Sequence, residues 1–79
     1  MTLTEEFVTK ACCSRLGLET LDVDDDLRTL GADSLFVLEL ACVIEDKFDM
    51  YVPAETIGTL TSVRDISSWI DATCSAVAG

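Results

Sequence analysis

Between Ser34 and Phe48 the apolar residues Val37, Leu40, Ala41, Ile44 and Phe48 recur at ~100° per residue, which gathers them on one face of a helix. No comparable run of strict alternation marks a strand, so the fold class is all-α. The 79 residues suffice for one domain with a modest core and are too few for a substrate-sized catalytic domain beside it. The other helices are placed by the same reasoning. Thr2 followed by Glu5 is a capping-box pattern, and Phe7, Val8, Ala11, Cys12 and Leu16 keep helical spacing before Gly17, which predicts a first helix over about 4–16. The stretch 17–33 is a loop unusually long for so small a domain, yet Leu18, Leu21, Val23, Leu27 and Leu30 can pin it to the core, so it is expected to be ordered. Asp33 or Ser34 caps the helix over about 34–48, and Pro53 fits the first turn of a short helix over about 54–58. Thr61 or Ser62 caps a last helix over about 62–74, with Val63, Ile66, Trp69, Ile70 and Thr73 at helical spacing. The expectation is a small four-helix bundle, its third helix short, with residues 1–79 as a single domain and 75–79 frayed.

Asp and Glu number 15 against five Lys and Arg, a formal charge of −10. Nucleic acid is a poor partner for such a chain because phosphate binding needs a basic face, and an anionic membrane surface would repel it for the same reason. Proteins with Lys/Arg patches are the favoured partners, since complementary charge speeds encounter and fixes orientation. The N-terminal Met1-Thr2-Leu3-Thr4-Glu5-Glu6 has no basic n-region and no long apolar stretch follows, so no signal peptide or membrane span is read and a cytoplasmic monomer is expected. Cys12, Cys13, Cys42 and Cys74 lack Cys-x-x-Cys spacing and the chain has no His, which leaves no zinc set. In a reducing compartment these thiols act as small hydrophobes, with Cys13 and Cys74 read as exposed enough to oxidise. Asp22-Val23-Asp24-Asp25-Asp26, with Asp33 at the twelfth position, partly mimics a calcium loop. Leu27 stands where the sharp turn needs Gly, and Asp33 lacks the length of a bidentate Glu, so the loop is read as solvated and as capping a short turn over 24–27. No metal ligand is assigned.

Gly31-Ala32-Asp33-Ser34-Leu35 puts one hydroxyl at the mouth of the helix that follows. The open N–H groups and positive dipole end of a first helical turn favour a phosphate esterified there; the plain alternative is that Asp33 or Ser34 merely caps the helix. With no His and with Ser34 outside any Gly-x-Ser-x-Gly turn, a serine nucleophile would lack its base, so the hydroxyl is read as a substrate. This pentapeptide leading into a helix closely resembles the prosthetic-group site of acyl carrier proteins. Phe48-Asp49, Val52-Pro53, Ile57, Leu60-Thr61-Ser62-Val63 and Trp69-Ile70 sit at family-like distances downstream, so the resemblance runs from about Leu16 to Ile70. It implies a carrier and not an enzyme, with 4'-phosphopantetheine joined covalently to Ser34 between Asp33 and Leu35. A separate phosphopantetheinyl transferase would attach it, and the terminal thiol would hold acyl groups as thioesters. Tethering makes each transfer depend on carrier docking instead of dilute substrate. The further partners implied are an acyltransferase or acyl-loading ligase, a ketosynthase and other pathway enzymes with basic docking patches.

Leu35, Leu38, Glu39, Cys42, Glu45, Asp46 and Asp49 project from the outer side of the second helix. Leu38 and Cys42 interleaved with Glu39, Glu45 and Asp46 form the expected docking stripe, to which Phe36 and Ile57 are added. Phe36 is read as exposed beside the arm, where an aromatic suits an interface; a lateral contact with the third helix is the alternative. An acyl-chain channel is expected between the second helix and the third and fourth, lined by Leu40, Ile44, Ile57, Leu60 and Trp69. A buried chain gains ~0.8 kcal/mol per methylene there, so several methylenes outweigh the ordering of the arm while a short or polar unit stays in solvent. Many fatty-acid carriers have an acidic residue two places after the serine, where Phe36 stands here, and a longer first loop. The resemblance therefore points to polyketide or related specialised biosynthesis, with a housekeeping fatty-acid carrier as the alternative. Aminoacyl or peptidyl carriers of nonribosomal systems commonly show Gly-Gly in place of Gly31-Ala32 and are less acidic. From another class altogether, the chain could be an acidic helical interaction domain whose Ser34 is only a cap.

Overall fold

The computed structural model describes residues 2–78, and several of its helices start or stop on a local signal. In α1, Leu3–Leu16, the Thr2 side chain accepts from the Glu5 N–H while the Glu5 carboxylate accepts from the Thr2 N–H, a reciprocal capping box. The helix closes on Gly17 at φ 71°, a left-handed conformation that suits a residue without Cβ. A 3-10 helix, Leu27–Leu30, follows, capped by Asp26, whose carboxylate accepts from the Arg28 N–H. It lies later than the turn expected at 24–27, because the Asp26 cap and not Asp24 initiates it. Gly31 then adopts φ 109°, which turns the chain into the next helix.

The second helix, α2, spans Ser34–Phe48 and ends at Asp49, itself left-handed at φ 51°. A short α3, Ala54–Thr59, starts after Pro53. The last helix, α4, spans Val63–Ala78, and the Ser62 hydroxyl accepts from the Asp65 N–H at its start. It continues past the expected end near 74 because no Gly or Pro interrupts it before Gly79, which lies outside the described residues. The bundle is all-helical among the described residues, with four α-helices and one 3-10 turn.

The core comes from every element: Val8 and Cys12 of α1, Leu40 and Ile44 of α2, Ile57 of α3, and Val63, Ile66 and Ile70 of α4 are fully or almost fully buried. Leu27 is buried with them, and Leu21, Val23 and Leu30 pack against the cluster. The long loop is also tied by its backbone. The Leu27 N–H donates to the Thr61 carbonyl at 2.8 Å and the Arg64 N–H to the Val23 carbonyl at 2.9 Å, so the loop is held to the junction of α3 and α4. The Arg64 guanidinium donates to the Asp24 carboxylate through both Nε and Nη2. At the other end the Thr4 hydroxyl donates to Asp71 at 2.7 Å, tying α1 to α4.

Three sequence expectations are corrected by this packing. Phe36 is only 7% exposed and belongs to the core, so it offers no exposed aromatic for docking. It lines a cleft together with residues of α3, among them Ile57, which at 2% exposure is likewise core and too buried to offer a docking surface. Cys13 is buried, because the covered arc of α1 is wide enough to take in both Ala11 and Cys13 on either side of Cys12; the exposed thiol is Cys42, and Cys74 is half-buried against Met50.

Candidate functional site

Local sequence places Ser34 as the first residue of α2, immediately after its cap. The Asp33 carboxylate accepts from the Phe36 N–H at 2.9 Å and its carbonyl from the Val37 N–H at 3.0 Å. The N–H groups of Ser34 and Leu35 have no partner within the helix, as is general for a first turn. Both residues are exposed, so the hydroxyl and the two N–H groups face water together at the positive end of the helix. Asp33 is therefore a positioning residue, and Leu35, 61% exposed, is the apolar neighbour of the hydroxyl.

A cleft of about 530 Å³ opens beside Ser34, between the first turns of α2, the 3-10 turn and α3. Its walls are mainly apolar, with Leu27, Phe36, Val37, Ile57 and Leu60 prominent, while Arg28, Asp33 and Glu55 bring charge to it. Ala32, Ala54 and Gly58 also line it, and their small side chains leave the room that larger ones would fill. Of the five residues expected to line an acyl channel, Ile57 and Leu60 do so. Leu40 and Ile44 do not, because they lie deeper along α2 where the core is closed and both are fully buried. Trp69 is half-buried on α4, away from the cleft. The small residues at 32, 54 and 58 are the trace this cleft leaves in the sequence, and helical spacing alone does not single them out.

The outward side of α2 carries Leu38 at 53% exposure, exposed Glu39, Cys42 and Asp46, and half-buried Glu45. The stripe is therefore real as a surface, and Leu38, Glu39, Cys42 and Asp46 border one shallow depression with Arg15 of α1. Glu39 is less free than its sequence implied: Arg15 Nε lies 3.4 Å from its carboxylate, which ties α1 to α2 beside the site. In the loop, the hydrogen bond from Arg64 holds the Asp24 carboxyl below its ordinary value of 3.8, and that from Arg28 does the same for Asp26. Asp24 thus ties the loop to α4 through Arg64, while Asp26 and Arg28 pair within the loop itself.

The sequence model of the family described as "Phosphopantetheine attachment site" matches residues 6–70. Among curated proteins, the chain is 39% identical over 70 residues to an acyl carrier protein of Akkermansia muciniphila, covering 85% of this chain and 88% of that one. It is 34% identical over 74 residues to an acyl carrier protein of Zymomonas mobilis, covering 90% and 95%. Its fold is similar to that of BlmI, a type-II acyl carrier protein from Streptomyces verticillus involved in bleomycin biosynthesis, with TM-score 0.85, 17% identity and coverage of 90% and 86%. A free-standing peptidyl carrier protein of Acinetobacter baumannii shares the fold at TM-score 0.84 and 14% identity, covering 90% of this chain and 91% of that one.

Proposed function

Because the chain belongs to the acyl carrier protein family, it is a phosphopantetheine-bearing carrier and not an enzyme, and we propose that Ser34 is the residue that bears the group. The observation that carries this assignment is the position of the Ser34 hydroxyl, exposed at the open end of α2 with a cleft beside it. The residues present fit the group. The free first-turn N–H groups of Ser34 and Leu35 suit a phosphodiester on that hydroxyl, and the apolar cleft wall suits the arm that follows. When bound, the group supplies a thiol that carries acyl units as thioesters. The chain's own contribution is positional: Asp33 fixes the start of α2, Gly31 turns the backbone so that the hydroxyl points out, and the buried side of α2 holds both rigid. Ser62 and Ser67 are buried and cannot be reached without opening the bundle. Incubation with coenzyme A and a broad-specificity transferase should add one prosthetic-group mass to the native chain and none to Ser34→Ala, which should keep the helical spectrum. A Ser34→Ala chain that still gains the mass would overturn the assignment.

Carrier proteins are modified by phosphopantetheinyl transferase and serve pathway enzymes. For this chain the reading extends to an acyltransferase or acyl-loading ligase and a ketosynthase that meet the Leu38, Glu39, Cys42, Glu45 and Asp46 stripe with basic patches. The pathway class proposed is polyketide or related specialised biosynthesis in the cytoplasm, with the carrier as a monomer. What supports it is Phe36, which takes into the core the position where many fatty-acid carriers present an acid to partners. A fatty-acid synthase that elongates on this carrier as readily as on its own would reverse that choice.

A further inference from the structure

The five cations of the chain are not equivalent. Arg15, Arg28 and Arg64 are each paired, with Glu39, Asp26 and Asp24 respectively. Lys10 and Lys47 form no ion pair among the described residues, and both border the same groove of about 560 Å³, between the first half of α1 and the end of α2. Phe7 and Phe48 line this groove, meeting edge to face with centroids 5.5 Å apart, and the Lys47 ammonium lies 5.5 Å from the Phe7 centroid. Leu3 stands at the same groove with 85% of its surface in water, the most exposed of the large apolar residues among those described. A small ligand in the groove would leave Leu3 wet, whereas an apposed polypeptide would cover it. Glu6 is the one acid on the lining, one helical turn from Lys10.

We infer that this groove is a second docking surface, for a partner segment that presents an apolar side chain between carboxylates. The aromatic pair and Leu3 would take the apolar anchor, and Lys10 and Lys47 would take the acids on either side of it. The chain's overall negative charge does not prevent this, because at physiological salt its field is screened within ~8 Å, so the charges on the groove itself, Lys10 and Lys47 against Glu6, govern contact. Location gives the surface its use. Ser34 opens α2 and Lys47 lies near its other end, thirteen residues and ~20 Å away along the axis. A partner held here leaves the modification end and its cleft open to a different enzyme, so one protein can retain the carrier while another works on it.

The test uses the unmodified full chain, isotope-labelled, with a short blocked helical peptide whose Leu/Phe stripe is flanked by Glu, and the same peptide with Lys in place of Glu. The Glu peptide should shift the amides of Leu3, Phe7, Lys10, Lys47 and Phe48, and the Lys peptide should not. The variants Lys10→Gln and Lys47→Gln keep most of each side chain's length, and together they should weaken Glu-peptide binding about tenfold with the rest of the spectrum unchanged. Equal binding of both peptides, shifts mapping to Leu35–Asp46, or no shifts at all would overturn the inference. So would concentration-dependent shifts of the same amides without peptide, which would assign the groove to a second copy of the chain.

Discussion

Cys12 and Cys42 show how one residue type is divided by position. Burial first, and the neighbouring Cys13 second, push the Cys12 thiol up to about 12 from its ordinary value of 9.0. In the unfolded chain the same thiol ionises near 9.0, so unfolding releases a proton once the pH exceeds that value. Stability should therefore be unaffected by this group below pH 9 and should decline as the pH rises from 9 toward 12, with Cys12→Ala removing that part of the slope in alkaline denaturation curves. At neutral pH a disulfide reagent should label Cys42 in the native chain, while Cys12 and Cys13 react only at the rate of opening. Rapid labelling of all four thiols in the folded state would contradict the burial. Ser67 is the opposite case: it is buried with its hydroxyl unpartnered, and nothing in the structure explains why a hydroxyl is kept there.

Two tasks divide α2 between its faces. Leu40, Ala41 and Ile44 bury one side, and the acids with Leu38 and Cys42 occupy the other, so surface charge can be altered without opening the core. Reversing Asp46 together with Glu39 to Lys should slow transferase modification through encounter, with a weaker dependence on salt than the native chain shows, because exposed charges are screened within ~10 Å at 0.1 M salt. Glu39→Lys also breaks the pair with Arg15, which at partly exposed side chains should lower stability by at most ~1 kcal/mol. A thermal melt separates that loss from the kinetic effect. Unchanged modification rates at low salt would remove this stripe as the transferase surface.

For the molecule as a whole, the long loop decides the shape of the site, and its acids hold it: Asp24 to α4 through Arg64, Asp26 to its own 3-10 turn through Arg28. Asp24 and Asp26 have carboxyls held below the ordinary 3.8 by hydrogen bonds from Arg64 and Arg28. A depressed value in the folded state means that the stabilisation is present above the unfolded value and is lost as the pH falls through the folded one. Acid titration should accordingly loosen the loop below pH 3.8, and Asp24→Asn should bring the amide shifts of Val23 and Arg64 toward that loosened state already at neutral pH. The same loop supplies Leu27 and Arg28 to the cleft beside Ser34. If cargo enters that cleft, lengthening an acyl group on the arm should progressively shift the amides of Ile57, Gly58 and Leu60, and Trp69 fluorescence should stay flat because its ring is elsewhere. A response of Trp69 ahead of Gly58 would place the cargo in a different part of the bundle.

The starts of the helices, the capping box at Thr2, a cap at Asp33 or Ser34 and a serine at the mouth of α2 were legible in the sequence, because each depends on residues within one or two turns of one another. The outward stripe of α2 was legible for the same reason, since periodicity fixes which residues share a face. Periodicity does not say how wide the buried arc is. Phe36 and Ile57 lie where α3 closes over α2, and only that contact decides that they are core and not surface. The cleft was equally beyond local reading, for it is the space left by Ala32 before α2 and by Ala54 and Gly58 on α3, two segments far apart in the chain. The pairing of Asp24 with Arg64, forty positions apart, and the groove that Lys10 of α1 and Lys47 of α2 both border carry no local signal. Spacing along one helix is set by the backbone and is written in the sequence; proximity between helices is set by how their side chains fill the shared interior, and that is decided only when the bundle closes.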